Sequence, residues 1–381
     1  MKRKLKVVKN KWRMIKQKVW SGLTKNLSYE NYAWVESKYE YFRAKDKEAL
    51  WGHRFFISKK GKEKYCILRN KFPHNGVFAT ANQYLFMYQW AKERGYIPLM
   101  DWETIYNYKK RKIGEYNLWE ICFELPISIK EAVKKDWVLV ESVGVGDKIS
   151  KQTCMKINGV EDDWTLHFRK ENWRQYYRTV HDYAQQCWKI RSSFLNEFQS
   201  KYASCFSDGG RVIGVSLREE FSVDAMALRD NEEVIRLYNK HPLTPGIKDI
   251  IEQVKICKNA WKCDYVFVAT MCLDSIEAFK EEFGEDVIFC VDRERLPLAE
   301  MLKQAAWDGF VDKSDEEINQ IAMSEKIKNN MIGYVQEILG LSKCDYLVAA
   351  SCSGSIAALI MNGGNYEEVE FLPDFHHSKN Y

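Results

Sequence analysis

The apolar run Val212-Ile213-Gly214-Val215-Ser216-Leu217 passes directly into the charged residues Arg218-Glu219-Glu220, and this stretch decides the predicted fold. A short run with β-branched residues and no charge is typical of a strand that is buried on both faces. Polar residues directly after such a strand lie where open parallel sheets bind their ligands. We therefore predict a parallel sheet with a binding site at the carboxyl end of this strand.

The rest of the second half of the chain repeats the pattern of apolar strand and helix. Further strands are predicted at Tyr265–Thr270, Asp286–Cys290 and Asp345–Ala350. Helices are predicted at Pro245–Trp261, Ser275–Phe283, Lys326–Leu341 and Ser355–Met361. Strands that alternate with helices predict a doubly wound α/β sheet.

The first half also shows an α/β pattern, although it is less regular. Its predicted strands are Tyr65–Leu68, Tyr96–Asp101 and Trp137–Val140, and its predicted helices are Thr80–Arg94 and Asn172–Tyr202. The turn residues Ser207-Asp208-Gly209-Gly210 mark a domain boundary. We predict an extension over residues 1–50, an α/β lobe over 51–208, a Rossmann-like lobe over 209–365 and a tail over 366–381.

The 381-residue chain carries a formal net charge of +5, and its basic residues are concentrated at the amino terminus. Every charged side chain between Met1 and Ser28 is basic, so no nucleic acid is expected to bind the rest of the chain. Apolar residues recur there at helical spacing, at Leu5, Val8, Trp12, Ile15, Val19 and Leu23. Such a helix is typical of a peripheral contact with an anionic membrane, here through residues 1–25. Packing against the body of the protein and disorder are the alternatives.

The cysteines and the hydropathy predict a cytoplasmic location, and the basic helix predicts a peripheral contact with the inner face of the cytoplasmic membrane. The chain has 11 cysteines, an odd number, and no CxxC pair. We expect free thiols in a reducing compartment, with no signal peptide and no spanning segment. Metal-ligand spacing is absent from the sequence, so neither a metal nor another cofactor is expected.

Two strand ends carry candidate chemistry for binding phosphate. Arg218 follows the first strand of the second half, where its planar guanidinium could hold a diphosphate; the alternative is a surface pair with Glu219 or Glu220. Small hydroxyl residues and a glycine precede the last helix, at Ser351, Ser353, Gly354 and Ser355. Backbone N–H groups at a helix start form an anion site, and a plain serine N-cap is the alternative.

The other two strand ends are less informative. The segment Ala269–Asp274 has little polar chemistry, and Asp292-Arg293-Glu294-Arg295 could equally be a solvated charge cluster. The sequence lacks GxxxxGK[ST], GxGxxG after a strand, GxSxG and HExxH. It therefore predicts neither a P-loop nucleotidase nor a standard dinucleotide fold, a nucleophile-elbow hydrolase or a zinc protease.

The order of several motifs resembles the GDP-fucose-dependent α-1,6-fucosyltransferases, across residues 53–372. The matching segments of the second half are Ser216–Glu220, His241–Pro245, Ala269–Cys272, Leu339–Val348, Ser351–Ser355 and Met361–Gly364. Those of the first half are Gly76–Phe78, Gly95–Pro98 and Asn117–Glu120. The resemblance implies a GT-B-like fold of two facing Rossmann-like lobes, with GDP-fucose on the second lobe and the acceptor entering through the first. It also implies metal-independent transfer with inversion at the anomeric carbon.

The resemblance implies roles for individual residues. Arg218 matches the arginine that holds the β-phosphate, Ser353 or a neighbouring serine matches the phosphate-binding hydroxyl, and Glu337 falls where an aspartate recognises guanine. Glu220 and Asp224 are candidates for the catalytic base. The donor-binding residues predicted on this basis are Arg218, Ser216, Glu337, Ser351, Ser353, Gly354, Ser355, His241, Gly76 and Asn82.

The chain departs from the family pattern at three places. Ser216 replaces a histidine, Glu219-Glu220-Phe221 replaces Gly-Thr-Asp and adds negative charge beside the expected diphosphate, and Met271 replaces an aspartate that helps hold the ribose. The expected function is fucosyl transfer to a surface glycan or a lipid-linked oligosaccharide. A non-catalytic nucleotide- or sugar-binding protein and a transferase for another nucleotide sugar are the alternatives.

Overall fold

The computed structural model of this chain describes residues 65–70, 76–93, 95–102, 117–135, 137–142, 173–207, 209–229, 243–304, 325–350 and 352–372. The predicted basic extension over residues 1–50 lies outside the described residues, and so do His241 and Ser351. None of the helices described is both long enough and apolar enough to cross a bilayer.

The first unit is built on a three-stranded parallel sheet, which confirms the strands predicted in the first half. The strands are β1 (Tyr65–Asn70), β2 (Ile97–Asp101) and β3 (Trp137–Ser142), in the order β2-β1-β3. The helices between them are α1 (Val77–Glu93), α2 (Trp119–Cys122) and α3 (Ile129–Ala132). The buried Arg69 guanidinium donates to Asp101 and so ties the carboxyl end of β1 to that of β2.

The long helix predicted over Asn172–Tyr202 is wrong in one respect, because the chain breaks it in the middle. The structure has α4 (Trp173–Cys187), α5 (Ser192–Tyr202) and a short α6 (Ser204–Ser207). Between α4 and α5, Ile190 forms an antiparallel bridge with Phe123, and the Arg191 N–H donates to the Cys122 carbonyl at 2.9 Å. This pairing with a distant segment competes with the helical hydrogen bonds and interrupts the helix.

The second unit contains a five-stranded parallel sheet, in agreement with the predicted doubly wound α/β class. Its strands are β4 (Val212–Ser216), β5 (Tyr265–Ala269), β6 (Ile288–Phe289), β7 (Tyr346–Ala349) and β8 (Glu368–Phe371), in the order β6-β5-β4-β7-β8. A 3-10 turn (Glu219–Phe221) and α7 (Val223–Ala227) follow β4. The remaining helices are α8 (Ile247–Trp261), α9 (Leu273–Phe283), α10 (Leu298–Gln304), α11 (Glu325–Leu341) and α12 (Ser353–Asn362).

Strand β8 corrects the prediction that a tail begins at residue 366. It pairs in parallel with β7, with Val369 opposite Leu347 and Phe371 opposite Ala349. Its sequence Glu368-Val369-Glu370-Phe371 alternates charged and apolar residues, as edge strands with one solvated face do. It therefore lacks the continuous apolar run by which the other strands of this sheet were recognised.

One of the hydrophobic clusters is shared by the two units. A single cluster of buried side chains contains Phe78 and Tyr84 from α1, Trp188 after α4, and Leu339 and Ile356 from the second unit. A second cluster covers the other face of the second sheet, and a third covers the other face of the first sheet. The units face each other through α1, α4, α11 and α12, so the predicted arrangement of two α/β lobes is realised with a fused core.

Candidate functional site at the strand switch point

The order of the second sheet places a crevice between the ends of β4 and β7. Strand β4 comes first in the sequence of this sheet, and β5 and β7 pair with its opposite edges. Helices that follow such strands leave toward opposite faces of the sheet, so a crevice opens at the carboxyl ends where the order reverses. Arg218 follows β4, and the start of α12 follows β7. We call this region the switch-point edge.

Two of the serines predicted to bind phosphate instead join the two strand ends. The Ser355 hydroxyl donates to the Ser216 hydroxyl at 3.1 Å, and both residues are buried. The thiol of Cys352 lies 3.2 Å from the Ser355 hydroxyl and accepts the Ser355 backbone N–H. These contacts hold the start of α12 against β4. The hydroxyl of Ser353, which is partly exposed, is therefore the better candidate for a ligand contact.

Helix α12 begins directly behind β7 and has no acidic residue in its first turn. Its first backbone N–H groups carry the positive end of the helix dipole, which favours an anion. Gly354 is required in this turn, because a Cβ atom added there would collide with the hydroxyl of Tyr334 on α11. The helix start and the α11 tyrosine are thus in direct contact.

Arg218 lies beside this helix start and forms no ion pair with any residue that the structure describes. Its guanidinium carbon is 3.7 Å from the centre of the Phe221 ring, a cation–π arrangement. The alternative of a surface pair with Glu219 or Glu220 is wrong, because neither carboxylate pairs with Arg218 in the described part of the chain. A partly exposed guanidinium that stacks on a ring keeps its donors available for an anionic ligand.

The Glu219 carboxyl group points toward β5. It accepts hydrogen bonds from the hydroxyls of Thr270 and Ser275, and burial raises its pKa. The Thr270 hydroxyl also accepts the Cys272 N–H at 2.9 Å. The fold therefore directs the Glu219 carboxyl into the strand ends, and the added negative charge beside a diphosphate stays a prediction.

The two candidates for the catalytic base differ in their surroundings. The Asp224 carboxylate accepts the Ile247 N–H at 2.8 Å and so caps the start of α8. A Cβ atom at Gly246 would lie 2.7 Å from this carboxylate, so the glycine permits the contact. The Glu220 carboxylate forms no hydrogen bond to any residue that the structure describes, and its charge acts on Tyr334.

A buried charge cluster of Arg293, Arg295 and Glu337 lies behind the switch-point edge, and the sequence analysis did not anticipate it. Arg293 donates to one oxygen of Glu337 at 2.9 Å, and Arg295 donates to the other at 3.4 Å. The side chains are only 3%, 8% and 2% exposed, respectively. The alternative of a solvated charge cluster is therefore wrong for both arginines. The signal was their position after β6, which the strand-end rule had already selected.

The charge cluster fixes α11 relative to the strand ends. Arg295 also donates to the carbonyls of Thr270 at 3.1 Å and Val291 at 2.7 Å, which belong to the ends of β5 and β6. Burial raises the pKa of Glu337 to about 7, and the two guanidinium groups oppose this shift. Both carboxylate oxygens of Glu337 are occupied by this internal contact.

The first unit contributes α1 to the same region. The Asn82 side-chain amide donates to the Ser353 carbonyl at 3.1 Å, and its Oδ1 atom is buried without a hydrogen-bond partner among the described residues. The Phe78 ring meets the Tyr334 ring edge-on, with 5.4 Å between centroids. Gly76 precedes α1 and is exposed. Asn82 therefore lies at the start of α12, while Gly76 contacts nothing that requires a glycine.

No group of three or more potential metal ligands occurs within the described ranges. A separate concavity of about 370 Å³ in the first unit shares no residue with the switch-point edge. Its lining residues are Glu120, Glu124, Leu125, Ser128, Arg191, Ser192 and Ser193. Its charged groups already pair within the protein: Glu124 with Lys189 at 2.6 Å, and Arg191 with the Glu120 carbonyl. At the switch-point edge, Arg218 and Asn82 Oδ1 converge without a partner among the described residues, which makes that edge the stronger candidate.

Comparison with known proteins gives distant similarities only. No protein-family model and no curated protein sequence matches the chain. The fucosyltransferase NodZ from Bradyrhizobium is 12% identical, with a TM-score of 0.40 over 78% of this chain and 92% of NodZ. POFUT1 in complex with GDP is 11% identical, with a TM-score of 0.43 over 81% of this chain and 98% of POFUT1. An Arabidopsis thaliana FUT1 mutant in complex with GDP is 10% identical, with a TM-score of 0.40 over 94% and 79%. No residue role follows from these values.

Proposed function

We propose that this chain is a glycosyltransferase that binds a nucleotide-sugar donor at the switch-point edge, with GDP-fucose as the expected donor. The observation that carries the proposal is the position of the Arg218 guanidinium beside the start of α12, at the ends of neighbouring strands, with no ion pair to a described residue. Two positive groups that converge in such a crevice suit a diphosphate. The resemblance of the motifs to the fucosyltransferases is the reason for expecting fucose as the sugar and guanine as the nucleobase.

Each element of the site has a role in the proposed reaction. A hydroxyl of the acceptor attacks the anomeric carbon, the bond from that carbon to the β-phosphate oxygen breaks, and a base takes the hydroxyl proton. The departing GDP gains negative charge in the transition state. Arg218 and the N–H groups of α12 stabilise that charge, and electrostatic stabilisation of this kind is a large part of catalysis. A metal ion is not required in this scheme.

Glu220 is the better of the two candidates for the base. A general base needs a carboxylate that can accept a proton from the acceptor hydroxyl. The Asp224 carboxylate is engaged at the start of α8, whereas the Glu220 carboxylate makes no such contact with the described residues. We therefore propose catalysis by Glu220 and an anchoring role for Asp224.

The internal pairing of Glu337 favours a second candidate, a transferase for another nucleotide sugar. Guanine recognition requires a carboxylate that can accept two hydrogen bonds from the base. Glu337 is 1% exposed, and its oxygens already accept from Arg293 and Arg295. If Glu337 retains this pairing when the donor binds, other groups must recognise the nucleobase. Comparison of GDP, UDP and CMP distinguishes the two candidates.

The acceptor and the location of the protein belong to the same proposal. We propose that a surface glycan or a lipid-linked oligosaccharide enters from the side of the first unit, at the inner face of the cytoplasmic membrane. The basic segment over residues 1–25 would bring the enzyme to anionic lipid by surface electrostatics. Sedimentation with anionic and with neutral vesicles, for the full chain and for a chain that lacks these residues, tests the contact.

The decisive experiment compares two arginines at opposite ends of β4. Arg218→Ala should weaken GDP binding about 10- to 100-fold, the effect of removing a charge-assisted contact to phosphate, as measured by calorimetry. Arg211→Ala is the matched control, since Arg211 is exposed at the amino end of the strand beside Glu367. Its loss should leave the affinity unchanged. Donor hydrolysis and transfer are then measured with GDP-fucose and GDP-mannose.

Each outcome separates the candidates. Selective binding of GDP with release of fucose supports the fucosyltransferase. Selective binding of UDP or CMP supports the second candidate, and binding without hydrolysis or transfer supports a non-catalytic protein. Equal affinity for GDP in the wild type and in Arg218→Ala would show that the site lies elsewhere.

A further inference from the structure

The hydroxyl of Tyr334 stands at the start of α12 in a fixed position. Its ring is held edge-on by the buried Phe78 of the first unit. The hydroxyl contacts the backbone of Gly354, where the absence of a side chain makes room for it. Residues from α1, α11 and α12 therefore define the place of one phenol group.

Within the part of the chain that the structure describes, this hydroxyl has no hydrogen-bond partner. A second polar group at the same helix start is also unpartnered: Asn82 is 2% exposed, its amide nitrogen donates to the Ser353 carbonyl, and its Oδ1 atom is buried with no partner. Tyr334 is partly exposed. Buried polar atoms are normally hydrogen-bonded, so the unpartnered Oδ1 atom of Asn82 indicates a ligand at this helix start that carries a donor, as the hydroxyls of a nucleotide sugar do.

The electrostatic surroundings keep the Tyr334 phenol protonated. Burial raises the pKa of Tyr334, and the nearby Cys352, Glu337 and Glu220 raise it further, while Arg218 opposes them. A protonated phenol has one O–H donor to offer. Arg218 therefore lies close enough to Tyr334 for its charge to act on the phenol.

We infer that the Tyr334 hydroxyl is a further donor-binding group, which gives its hydrogen bond to a phosphate oxygen of a diphosphate held between Arg218 and the start of α12. This inference rests on the proposed function and adds to it a positioning residue from α11. It also assigns a reason for Gly354: any larger residue would push the hydroxyl away from the anion. The first unit contributes through Phe78, which holds the ring.

The experiment removes only the hydroxyl. Tyr334→Phe should weaken binding of GDP and of inorganic pyrophosphate about 10-fold or more, the effect of one hydrogen bond to a charged group, as measured by calorimetry. Tyr346→Phe is the matched control, because Tyr346 lies at the opposite, amino end of β7. Its hydroxyl donates a hydrogen bond to the Glu367 carboxylate at 2.5 Å. This substitution should leave both affinities unchanged.

A double-variant cycle separates ligand contact from packing. Gly354→Ala should lower the melting temperature in the wild type, because its Cβ collides with the hydroxyl. The loss should be smaller in the Tyr334→Phe background, where the colliding atom is gone. If Gly354→Ala has the same cost in both backgrounds, the contact on which the inference depends does not exist.

The outcomes distinguish this inference from the proposed function. If Arg218→Ala weakens GDP binding and Tyr334→Phe does not, the proposed function stands and the inference is overturned. If pyrophosphate binds through both residues while no nucleotide is preferred, the inference stands and the GDP-sugar function is overturned. If the wild-type protein binds neither ligand, both are overturned.

Discussion

Arg218 and Glu219 are neighbours in the sequence, but their side chains enter opposite environments. The Arg218 guanidinium stacks on Phe221 and stays open to the crevice. The Glu219 carboxyl is buried against Thr270 and Ser275. The sharp turn after β4 produces this division, since the 3-10 turn begins at Glu219. Charge type alone could not predict it.

Exchanging Glu220 and Asp224 for their amides tests the choice of base at the residue scale. Glu220→Gln should abolish transfer and leave the melting temperature unchanged, because its carboxylate forms no hydrogen bond with a described residue. Asp224→Asn should retain transfer and lose about 0.5–1 kcal/mol of stability through a weaker cap on α8. Transfer assays and urea unfolding measure the two effects. Loss of transfer in Asp224→Asn alone would reverse the assignment.

The buried Glu337 should make stability depend on pH. Its pKa is raised from 4.5 to about 7 by burial, so the folded state binds a proton more tightly than the unfolded state. The proton on Glu337 therefore contributes to the free energy of unfolding, on the order of 1–3 kcal/mol. This contribution is fully present below pH 4.5 and is lost as the pH rises through about 7.

Urea unfolding at pH 5 and pH 8 measures this dependence. Glu337→Gln is the control, because glutamine keeps the shape and cannot titrate. The fall in stability between the two pH values should be smaller in this variant. An identical fall in both proteins would assign the dependence to other groups.

Among the secondary-structure elements, α11 lies close against β5 because Gly340 lacks a side chain. A Cβ atom at this position would collide with the Phe267 ring. Close packing of α11 also brings Glu337 and Tyr334 of the same helix to the strand ends. One glycine in the last turn of α11 therefore sets the depth at which the site residues of this helix lie.

Replacing Gly340 by alanine tests this packing. Alanine favours the helix by about 0.8–1 kcal/mol, but overpacking in a core costs about 1–3 kcal/mol. We expect a net loss of up to about 2 kcal/mol in the free energy of unfolding, by the difference of these two effects. Gly76→Ala is the control: nothing lies within 4 Å of its added Cβ atom, so stability should stay within about 0.5 kcal/mol. A more stable Gly340→Ala protein would contradict the close contact.

Most strands could be predicted because parallel strands buried on both faces are continuous apolar runs. Strand β4 shows this, because it lies within the apolar run Val212–Leu217, which ends where the charged residues begin. Strand β8 was missed because Glu368 and Glu370 interrupt its apolar residues, and the break at Ile190 was missed because its cause is pairing with Phe123. Both misses depend on contacts with residues distant in the sequence.

The molecule as a whole has a core that crosses from one unit to the other. Trp188 shows the connection: its indole N–H donates to the Ala81 carbonyl at 3.1 Å, and its ring meets Phe78 edge-on. Helices α4 and α12 pack on each other across the two units. Units joined in this way should not unfold separately.

Calorimetry should therefore show one unfolding transition for both units. Trp188→Ala should lower the free energy of unfolding by about 3–5 kcal/mol, the cost of truncating a buried tryptophan, and should leave a single transition. Hydrogen exchange in β1 and in β7 reports each unit, and protection should fall equally in both. Ile256→Ala is the control, because Ile256 is 61% exposed. Two resolved transitions would mean that the units are independent.

The sequence by itself determined the α/β class and the parallel strands other than β8, and it selected two strand ends as candidate ligand sites, because apolar periodicity and strand-end polarity are local properties. Only the tertiary structure decided the partners of those residues. It buried Ser216 against Ser355, stacked Arg218 on Phe221 and paired Glu337 with two arginines. Residues far apart in the chain meet at the strand ends, and the choice among their contacts depends on packing that no local pattern records.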